Sequence, residues 1–360
     1  MTKKDAVIVY GAGISGRGAA QVLADRKQQV YLYNDMDCTL EPQLLQLLES
    51  VGGGLAIGKA AFEGLLDIAG VLVLSPGIAC DNANVLLAEQ RGLEVISEVE
   101  LGYRLYGGHI AAITGTNGKT TTTTIVGEML KRLPEPSAVG GNIGLALSKE
   151  VESLPQDGWL AAELSSFQLE KVSSFCPDIA VVLNLTPDHL ERHHKMEAYG
   201  EAKKNIFRQQ GEVQVTVLNY DDPIVRTWGA ETKGRLCYFS RKEKLQQGIY
   251  MQDGNFIISW DGKQETVCNI SELHLFGGHN EENVLAAIAC GFFAGVSISD
   301  MADVLRNFRS IEHRIEYVAT IDGVPYYNDS KATNTDSTIK ALEAFKDGHI
   351  ILLAGGHDKL

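Results

Sequence analysis

The chain has 360 residues, of which 44% are hydrophobic and 22% are charged. This length and composition are typical of a globular protein with two or three domains. Its net charge of −14 at pH 7 argues against a general binder of nucleic acid or of membrane surfaces, because both require a basic face. A small anionic ligand remains compatible with that charge, since a few backbone N–H groups and one lysine can hold a phosphate.

The cysteines and the N-terminus suggest a cytoplasmic protein. The six cysteines are widely scattered, with no C-x-x-C pair, so we predict reduced thiols rather than disulfides or a zinc site. The first residues lead directly into a strand, and no apolar run approaches the ~18 residues of a membrane span. We expect a cytoplasmic monomer with neither a nucleic-acid partner nor a membrane partner.

Residues 1–98 are predicted to form a first α/β domain. Short apolar runs alternate there with amphipathic segments, which is typical of βαβ units with a parallel sheet. The predicted strands are 6–10, 30–34, 71–75 and 93–97, and the predicted helices are 15–26, 40–50 and 84–91.

A second α/β domain is predicted for residues 99–308. Its predicted strands are 109–115, 159–165, 179–185 and 213–219, and its predicted helices are 280–295 and 299–308. Between them, the stretch 235–275 has short alternating runs separated by Asp-Gly pairs, which predicts β-hairpins at the edge of the domain.

Residues 309–360 are predicted to begin a third domain. They contain a hairpin that turns at Asp322 and Gly323, a helix over 334–346 and a strand over 349–356. About 50 residues bury too little surface for a complete domain, so we expect this domain to be incomplete in the chain.

The segment "VIVYGAGISGRGAA" predicts a first phosphate site. Gly11, Gly13 and Gly16 lie between a strand and a helix, and Asp35 closes the next strand, about 20 residues later. Glycines at this spacing allow a diphosphate to approach the backbone and the helix N-terminus. Ser75 ends a third strand, where the same crevice would open. The pattern leaves open whether the ligand is a dinucleotide, and a tight turn with no ligand is the structural alternative.

The segment "AAITGTNGKTTTTT" (111–124) predicts a second phosphate site, of the ATP type. In the usual loop a glycine stands six residues before the lysine, but that position is Ile113 here. We expect a tighter loop, with Thr114 taking part of that role. Gly115 and Gly118 would present backbone donors, Lys119 would neutralise phosphate charge, and the Thr120 hydroxyl would bind Mg²⁺.

Candidate side chains for binding a metal ion lie at or near the ends of two of the predicted strands. Glu163 lies near the end of "WLAAELS", where an unpaired carboxylate would be costly away from a metal. Asp188 and His189 follow "IAVVLNL" in the same manner. We interpret the neighbouring His193 and His194 as solvated surface residues, and "HLERH" does not match the zinc motif H-E-x-x-H.

Lys203 lies on the apolar face of a predicted helix, "MEAYGEAKKNIF", and Lys204 points away from that face. The apolar face is formed by Tyr199, Ala202, Ile206 and Phe207. Burial lowers the pKa of a lysine, so Lys203 could react as a free amine. The alternative is that Lys203 extends its ammonium to solvent.

Together these segments resemble the Mur ligases, and among them the members that add D-glutamate. The motifs are "TGTNGKTTTT", "GGNIG", "AELSSFQLE", "NLTPDHLERH", "HNEENVLAA", "EHR" and "NDSKATN". They cover nearly the whole chain. The resemblance implies three domains: a Rossmann-like N-terminal domain, a P-loop-type central ATPase domain and a Rossmann-like C-terminal domain, the last truncated here.

The resemblance also implies ligands and residue roles. The substrates would be ATP, UDP-N-acetylmuramoyl-L-alanine and D-glutamate, with two Mg²⁺ sites. The residues implied for the nucleotide are Gly115, Thr116, Asn117, Gly118, Lys119, Thr120, Thr121, Asn283, Arg314 and Asp329. Those implied for the other substrates are Ser15, Asp35, Ser75, Asn142, Lys331, Thr333 and Lys359. Those implied for the metals are Thr120, Glu163, His189 and Lys203, the last after carbamylation. Lys119, Asn142, His189 and Lys203 are the implied catalytic residues.

The implied reaction belongs to peptidoglycan precursor synthesis and proceeds through an acyl phosphate. The family's serine-rich motif, which binds the glutamate, lies beyond the last residue, so we expect the chain as given to ligate weakly or not at all.

Three alternatives are a nicotinamide-dependent oxidoreductase, a nucleotide-binding module without ligase activity and a ligase that adds glutamate to folate. The first would not use Lys119, Glu163 or Lys203, the second would not use two phosphate loops, and the third family lacks this N-terminal domain.

Overall fold

The computed structural model describes residues 5–275, 277–309, 313–345 and 349–356 of an α/β protein. The strands are β1 (Ala6–Tyr10), β2 (Val30–Asn34), β3 (Gly54–Ile57), β4 (Ala69–Leu74), β5 (Glu94–Ser97), β6 (His109–Thr114), β7 (Ser137–Gly141), β8 (Trp159–Glu163), β9 (Ile179–Val182), β10 (Val215–Asn219), β11 (Arg235–Ser240), β12 (Gly248–Gln252), β13 (Asn255–Trp260), β14 (Lys263–Asn269), β15 (Glu316–Ile321) and β16 (Val324–Asn328). The helices are α1 (Ile14–Asp25), α2 (Pro42–Ser50), α3 (Lys59–Leu65), α4 (Ala83–Gln90), α5 (Glu98–Leu105), α6 (Lys119–Leu130), α7 (Leu147–Glu150), α8 (Ser166–Leu169), α9 (Leu190–His193), α10 (Met196–Lys204), α11 (Gly278–Ala294), α12 (Ile298–Asn307) and α13 (Thr335–Glu343).

The chain divides into two compact units. One consists of Met1–Ile110, Pro136–Cys176 and Glu201–Gln209, and the other of Ala111–Glu135, Pro177–Gly200 and Gln210–Leu360. The domain boundaries near residues 98 and 308 that the sequence predicts stay a proposal.

The first unit contains a five-stranded parallel sheet in the order β3-β2-β1-β4-β5. Strand β1 is buried along its whole length, as expected for an inner strand covered on both faces. One apolar core includes Ile8, Tyr10, Tyr33 and Phe62, and another includes Val9, Leu23 and Leu32. Because the strand order reverses between β1 and β4, a crevice opens at their carboxyl ends, where doubly wound sheets bind ligands. The same unit holds the parallel pair β7-β8.

In the second unit the strands follow the order β14-β13-β12-β11-β10-β9-β6. The pairs from β6 to β12 are parallel, and β12, β13 and β14 form an antiparallel meander. Helix α11 is buried along most of its length, and the Cβ position of its Gly291 faces Met129 of α6 and Met301 of α12. The antiparallel hairpin β15-β16 stands apart as a third sheet.

All three Asp-Gly pairs at predicted turns adopt the left-handed conformation at both residues. Their φ angles are 50° and 76° at Asp253 and Gly254, 50° and 75° at Asp261 and Gly262, and 50° and 79° at Asp322 and Gly323. Two consecutive positive φ angles define the type I′ turn, whose twist matches that of a hairpin. The predicted hairpins after β12, β13 and β15 are therefore confirmed.

Several other predicted elements differ from the structure. Residues 349–356, predicted as a strand, form no strand, and Ile351 and Leu353 are 86% and 90% exposed. No described strand pairs with this segment, and an unpaired apolar run has neither ladder hydrogen bonds nor a face to cover it. Strand β11 is likewise not part of a hairpin, because it pairs in parallel with β10 and β12. The structure also contains elements that were not predicted from the sequence, namely β3, β7, α3, α5, α7, α8 and α9.

None of the helices in the described part of the chain combines the length and the apolar character that crossing a membrane requires.

Candidate functional site

The first glycine loop joins β1 to α1 in the first unit. Gly11 has a φ of 103°, and a Cβ on Gly16 would collide with the carbonyl oxygen of Gly11, so both positions require glycine. A Cβ on Gly13, in contrast, would meet nothing within 4 Å. Gly13 is the N-cap of α1 and has no side-chain cap, so the first N–H groups of the helix face an open space that suits a phosphate.

The other predicted substrate residues of this unit border the same crevice. Ser75 directly follows β4, is 8% exposed and donates its Oγ hydroxyl to the carbonyl of Gly11 over 3.0 Å. Ser15 lies in the first turn of α1, partly exposed, and Asp35 directly follows β2. Three adjacent parallel strands thus bring these side chains to one edge of the sheet.

Asp35 accepts hydrogen bonds from side chains that the sequence analysis did not single out. Tyr10 donates to Oδ2 over 2.5 Å, and Tyr33 donates to Oδ1 over 2.8 Å. The amide of Asn84 donates to Oδ1 over 3.0 Å. Asp35 as a whole residue is exposed.

The second loop, between β6 and α6, has the geometry of a phosphate cradle. Thr114 is fully buried as the last residue of β6, so the loop begins at Gly115, which has a φ of 156°. Gly118, the N-cap of α6, has a φ of 85°. Lys119 bends back over the loop, donating to the carbonyls of Gly115 over 2.9 Å and of Thr116 over 2.7 Å. Its charge therefore lies above the N-terminus of α6, where Thr120 and Thr121 form the first turn.

Asn184, which follows β9, fixes the base of this loop. Its Oδ1 accepts from the backbone N–H groups of Thr116 over 3.1 Å and of Asn117 over 2.8 Å. Its amide donates to the carbonyl of Asn117 over 3.1 Å. The Thr116 hydroxyl donates to the carbonyl of Thr186 over 3.1 Å. The sequence signal for Asn184 is that it is the single polar residue within the apolar run predicted as the strand 179–185.

Asn117 points towards the N-terminus of α13. Its amide donates to Asp336 over 2.6 Å, and its Oδ1 accepts from Asn334 over 3.1 Å and from Ser337 over 2.7 Å. Asn334 also caps α13 by accepting from the backbone of Ser337. The "NDSKATN" segment thus leads into a helix whose first turn contacts the phosphate loop.

One cavity of the second unit gathers six residues implied for the nucleotide. They are Asn117, Gly118, Thr121, Asn283, Arg314 and Asp329. The cavity is also lined by Asn184, Leu275, His279, Asn280, Glu282, Ile315, Ala332, Ser337, Lys340 and Ala341, of which the sequence analysis named none as a site residue.

Three titratable groups of this cavity, His279, Glu282 and Asp329, have pKa values shifted towards their neutral forms. Burial, together with the charges of Lys340 and Arg314, lowers the pKa of His279 to about 4. Burial raises the pKa of Glu282 although Lys340 and Arg241 act against it. Burial also raises the pKa of Asp329. His279 is therefore neutral at pH 7 and can both donate and accept a hydrogen bond.

Glu163 and Asn142 form a pair in the first unit. Asn142 donates its amide to Glu163 Oε1 over 2.8 Å, and its backbone N–H donates to the Glu163 carbonyl over 2.8 Å. Glu163 is 2% exposed, and its Oε2 is buried with no hydrogen-bond partner among the described residues. A buried carboxylate oxygen without a donor is costly unless a cation satisfies it, so Glu163 fits a Mg²⁺ ligand.

His189 and Asp188 follow β9 in the second unit. His189 begins α9 with a φ of 55°, and its Nε2 lies 3.8 Å from Asp188 Oδ2. Asp188 is 8% exposed and accepts from the amide of Asn334 over 3.1 Å. The described residues contain no cluster of three or more His, Cys, Asp or Glu side chains that could bind a metal ion by themselves. Mg²⁺, however, commonly takes one or two carboxylates and completes its shell with phosphate oxygens and water.

The prediction for His193 was wrong. His193 is 7% exposed, and its ring packs on Tyr199 with a centroid distance of 5.2 Å. It ends the short helix α9, and its imidazole is buried against the Tyr199 ring of α10. His194 is exposed, as predicted.

Lys203 of α10 is buried, with 1% of its surface exposed. The helical stripe predicted around it is buried as well, since Tyr199, Ala202, Ile206 and Phe207 are all less than 9% exposed. Lys204 forms an ion pair with Glu201 over 2.9 Å. The hypothesis that Lys203 extends to solvent is therefore wrong.

The residues implied for D-glutamate, Lys331, Thr333 and Lys359, all follow β16 in the chain. Lys331 and Thr333 are exposed and do not line the nucleotide cavity. Lys359 lies outside the described residues.

This fold and these two glycine-rich loops are typical of nucleotide-binding α/β proteins, and comparison with known proteins narrows that class. Residues 113–291 match the model of the Mur ligase middle domain. The UDP-N-acetylmuramoylalanine--D-glutamate ligase of Thermoanaerobacter sp. (strain X514) is 42% identical over 98% of this chain and 77% of that protein. The same-named ligase of Acidobacterium capsulatum is 43% identical over the same shares.

Solved structures agree on the fold. MurF from Acinetobacter baumannii matches with a TM-score of 0.58 at 18% identity, over 94% of this chain and 70% of that one. MurF from Thermotoga maritima, in complex with ADP, matches with a TM-score of 0.55 at 18% identity, over 94% and 71%. The chain belongs to the Mur ligase family, in the group of the UDP-N-acetylmuramoylalanine--D-glutamate ligases.

Proposed function

We propose that this protein is an ATP-dependent ligase that joins D-glutamate to UDP-N-acetylmuramoyl-L-alanine in peptidoglycan precursor synthesis. The observation that carries the proposal is the 42% identity to ligases of this name over 98% of the chain. The two glycine-rich loops support it, because such an enzyme must bind the phosphates of both a UDP-sugar and ATP. We further propose that it acts as a cytoplasmic monomer.

The loop between β6 and α6 would hold the phosphates of ATP. Its backbone donors and the N-terminus of α6 would face the phosphates, and Lys119, now bonded to two loop carbonyls, would turn its ammonium to the transferring group. Asn283, Arg314 and Asp329 line the adjoining cavity and would contact the rest of the nucleotide. Neutral His279 adds a donor and an acceptor for the base or the ribose.

Glu163, with its unsatisfied buried oxygen, and the Thr120 hydroxyl would bind Mg²⁺, with His189 and carbamylated Lys203 as further ligands. Mg²⁺, at two sites, would offset the charge of the transferring phosphoryl group. Asn142 is fixed by its bond to Glu163 and would contact the substrate near the reacting carboxylate.

In the proposed reaction, the alanine carboxylate of the UDP-substrate attacks the γ-phosphorus of ATP, and ADP leaves. The amine of D-glutamate then attacks the acyl phosphate, and the tetrahedral intermediate collapses to an amide and inorganic phosphate. Lys331, Thr333 and Lys359 would contact the glutamate, and Ser15, Asp35 and Ser75 would contact the UDP portion.

Calorimetric titration tests the substrate assignment. We expect saturable binding of UDP-N-acetylmuramoyl-L-alanine and no binding of NADH. Binding of NADH alone would overturn the proposal and favour the oxidoreductase alternative.

A ligation assay tests the amino-acid assignment. Product formation from ATP and the UDP-substrate is measured with D-glutamate and with L-glutamate. A product formed equally well from L-glutamate would contradict the assignment of D-glutamate.

A further inference from the structure

Two buried tyrosines and one asparagine hold the carboxylate of Asp35, and the catalytic scheme above does not use them. Tyr10 ends β1, Tyr33 lies one residue before the end of β2, and Asn84 lies in the first turn of α4. Both tyrosines are fully buried, and their rings pack against Phe62 in tilted arrangements, at centroid distances of 6.0 Å for Tyr10 and 4.7 Å for Tyr33. The rings are therefore fixed, and their hydroxyls are aimed at Asp35.

The donors divide between the two carboxylate oxygens. Tyr10 donates to Oδ2, while Tyr33 and Asn84 donate to Oδ1. Asn84 also donates to the Tyr33 hydroxyl over 3.0 Å, which orients that hydroxyl so that its hydrogen points at Asp35. The pKa of Tyr10 is raised to about 12, by burial and by its bond to Asp35, and the pKa of Tyr33 is raised for the same reasons. Both phenols remain donors throughout the physiological pH range.

We propose that Tyr10, Tyr33 and Asn84 are positioning residues that hold Asp35 as a fixed hydrogen-bond acceptor for the UDP-substrate. This inference rests on the proposed function, which assigns Asp35 to the UDP portion. Asp35 lies on an exposed edge, so without these donors its side chain would rotate freely and would have to be immobilised when the ligand binds. These three donors occupy three of the roughly four acceptor sites of the carboxylate, and the remaining site, on Oδ2, can accept from a ligand N–H or O–H group.

The hydroxyls of Tyr10 and Tyr33 are removed singly and together by substitution with Phe, which keeps the buried rings. Tyr31→Phe is the matched control. Tyr31 lies on β2, as Tyr33 does, but its hydroxyl donates to the carbonyl of Gly52 and not to Asp35. The dissociation constant for UDP-N-acetylmuramoyl-L-alanine is measured by calorimetry, and the melting temperature is recorded for each variant.

We expect each single Phe variant to bind the UDP-substrate roughly 3- to 10-fold more weakly, the scale of one hydrogen bond, and the double variant more weakly still. Tyr31→Phe should bind like the wild type, and ATP affinity should be unchanged in all variants. If Tyr10→Phe and Tyr33→Phe lower only the melting temperature and bind like the control, the hydroxyls are structural and the inference is wrong.

A double-mutant cycle with Asp35→Ala separates positioning from direct contact. If the tyrosines act through Asp35, Tyr33→Phe will have no further effect on binding once Asp35 is alanine. An undiminished effect in that background would contradict the inference. Failure of the wild type itself to bind the UDP-substrate would instead refute the proposed function, so the two failures are distinguishable.

Discussion

At the scale of single residues, Gly118 shows how closely the ATP-type loop is built against its surroundings. Its φ of 85° lies in the left-handed region, which favours glycine. A Cβ at this position would also collide with Asn283 Oδ1, a side chain that lines the nucleotide cavity. The position therefore favours glycine for two independent reasons.

Gly118→Ala should both destabilise the protein and weaken ATP binding, because Asn283 has to move out of the cavity wall. Gly262→Ala is the matched control: Gly262 has a similar φ of 75°, but a Cβ there would meet nothing within 4 Å. We expect Gly262→Ala to cost about 1 kcal/mol of backbone strain with ATP affinity intact. Thermal unfolding with and without ATP checks both, and equal behaviour of the two variants would contradict the steric argument.

Residue types and spacing predicted the loop glycines, the buried stripe around Lys203 and the positions of Ser75 and Asp35 after their strands. They could not predict that Asn184 supports the loop or that His279 and Lys340 line the nucleotide cavity. These contacts join residues up to about 220 positions apart, as between Asn117 and Ser337, and depend on packing that one local pattern does not encode. His193 was misjudged for the same reason.

At the scale of elements, helix α5 is held by two buried carboxylates with opposite properties. Glu98 accepts from the backbone of Ser148 over 2.6 Å, and its Oε2 has no partner among the described residues. Burial raises the pKa of Glu98. Glu100 accepts from the backbone of Ser173, Ser174 and Phe175 and from the guanidinium of Arg104. Burial alone would raise its pKa, but these donors outweigh it and the pKa is lowered.

Glu100→Gln should cost about 3 kcal/mol at pH 7, because the new amide NH₂ would face N–H donors in a buried site. Since the folded-state pKa of Glu100 is lowered, its contribution is present above the unfolded pKa and lost as the pH falls through the folded pKa. The cost should therefore shrink in acid. Urea unfolding between pH 3 and pH 8 measures it, and a cost independent of pH would contradict the assignment.

Glu98→Gln should show the opposite pH dependence. The folded-state pKa of Glu98 is raised, so its contribution is fully present below the unfolded pKa and lost as the pH rises through the folded pKa. Glutamine keeps the acceptor for Ser148 but cannot ionise. Relative to the wild type, the variant should be more stable at pH 8 than at pH 4 in the same unfolding series. A constant difference would show that Glu98 does not titrate.

Helices, strands and turns were predicted correctly where residue type and local pattern determine them. They were predicted wrongly where their formation depends on pairing with a strand elsewhere in the chain. The Asp-Gly turns and the inner strands β1, β4 and β9 follow from turn residues and apolar runs. Residues 349–356 have the same apolar character as those strands, yet they form no strand in the described structure, because a strand also requires a neighbour. The short elements β3, α3 and β7 lie in segments rich in glycine or small residues, where periodicity is weak.

At the scale of the whole molecule, the two proposed phosphate sites lie in different compact units. Ser15, Asp35 and Ser75 lie in the first unit, and the ATP-type loop with its cavity lies in the second. The hydrogen bonds described around Asp35 and those described around the ATP-type loop each join residues of one unit. This separation makes the two ligand assignments independently testable in one protein.

Thermal unfolding with two variants provides that test. A ligand at 100 times its dissociation constant stabilises the folded state by about 2.7 kcal/mol, so ATP with Mg²⁺ and UDP-N-acetylmuramoyl-L-alanine should each raise the melting temperature of the wild type. Lys119→Ala should abolish most of the ATP shift and keep the shift with the UDP-substrate. Asp35→Ala should do the reverse. If Lys119→Ala removed the shift with the UDP-substrate and left that with ATP, the assignment of the two loops would have to be exchanged.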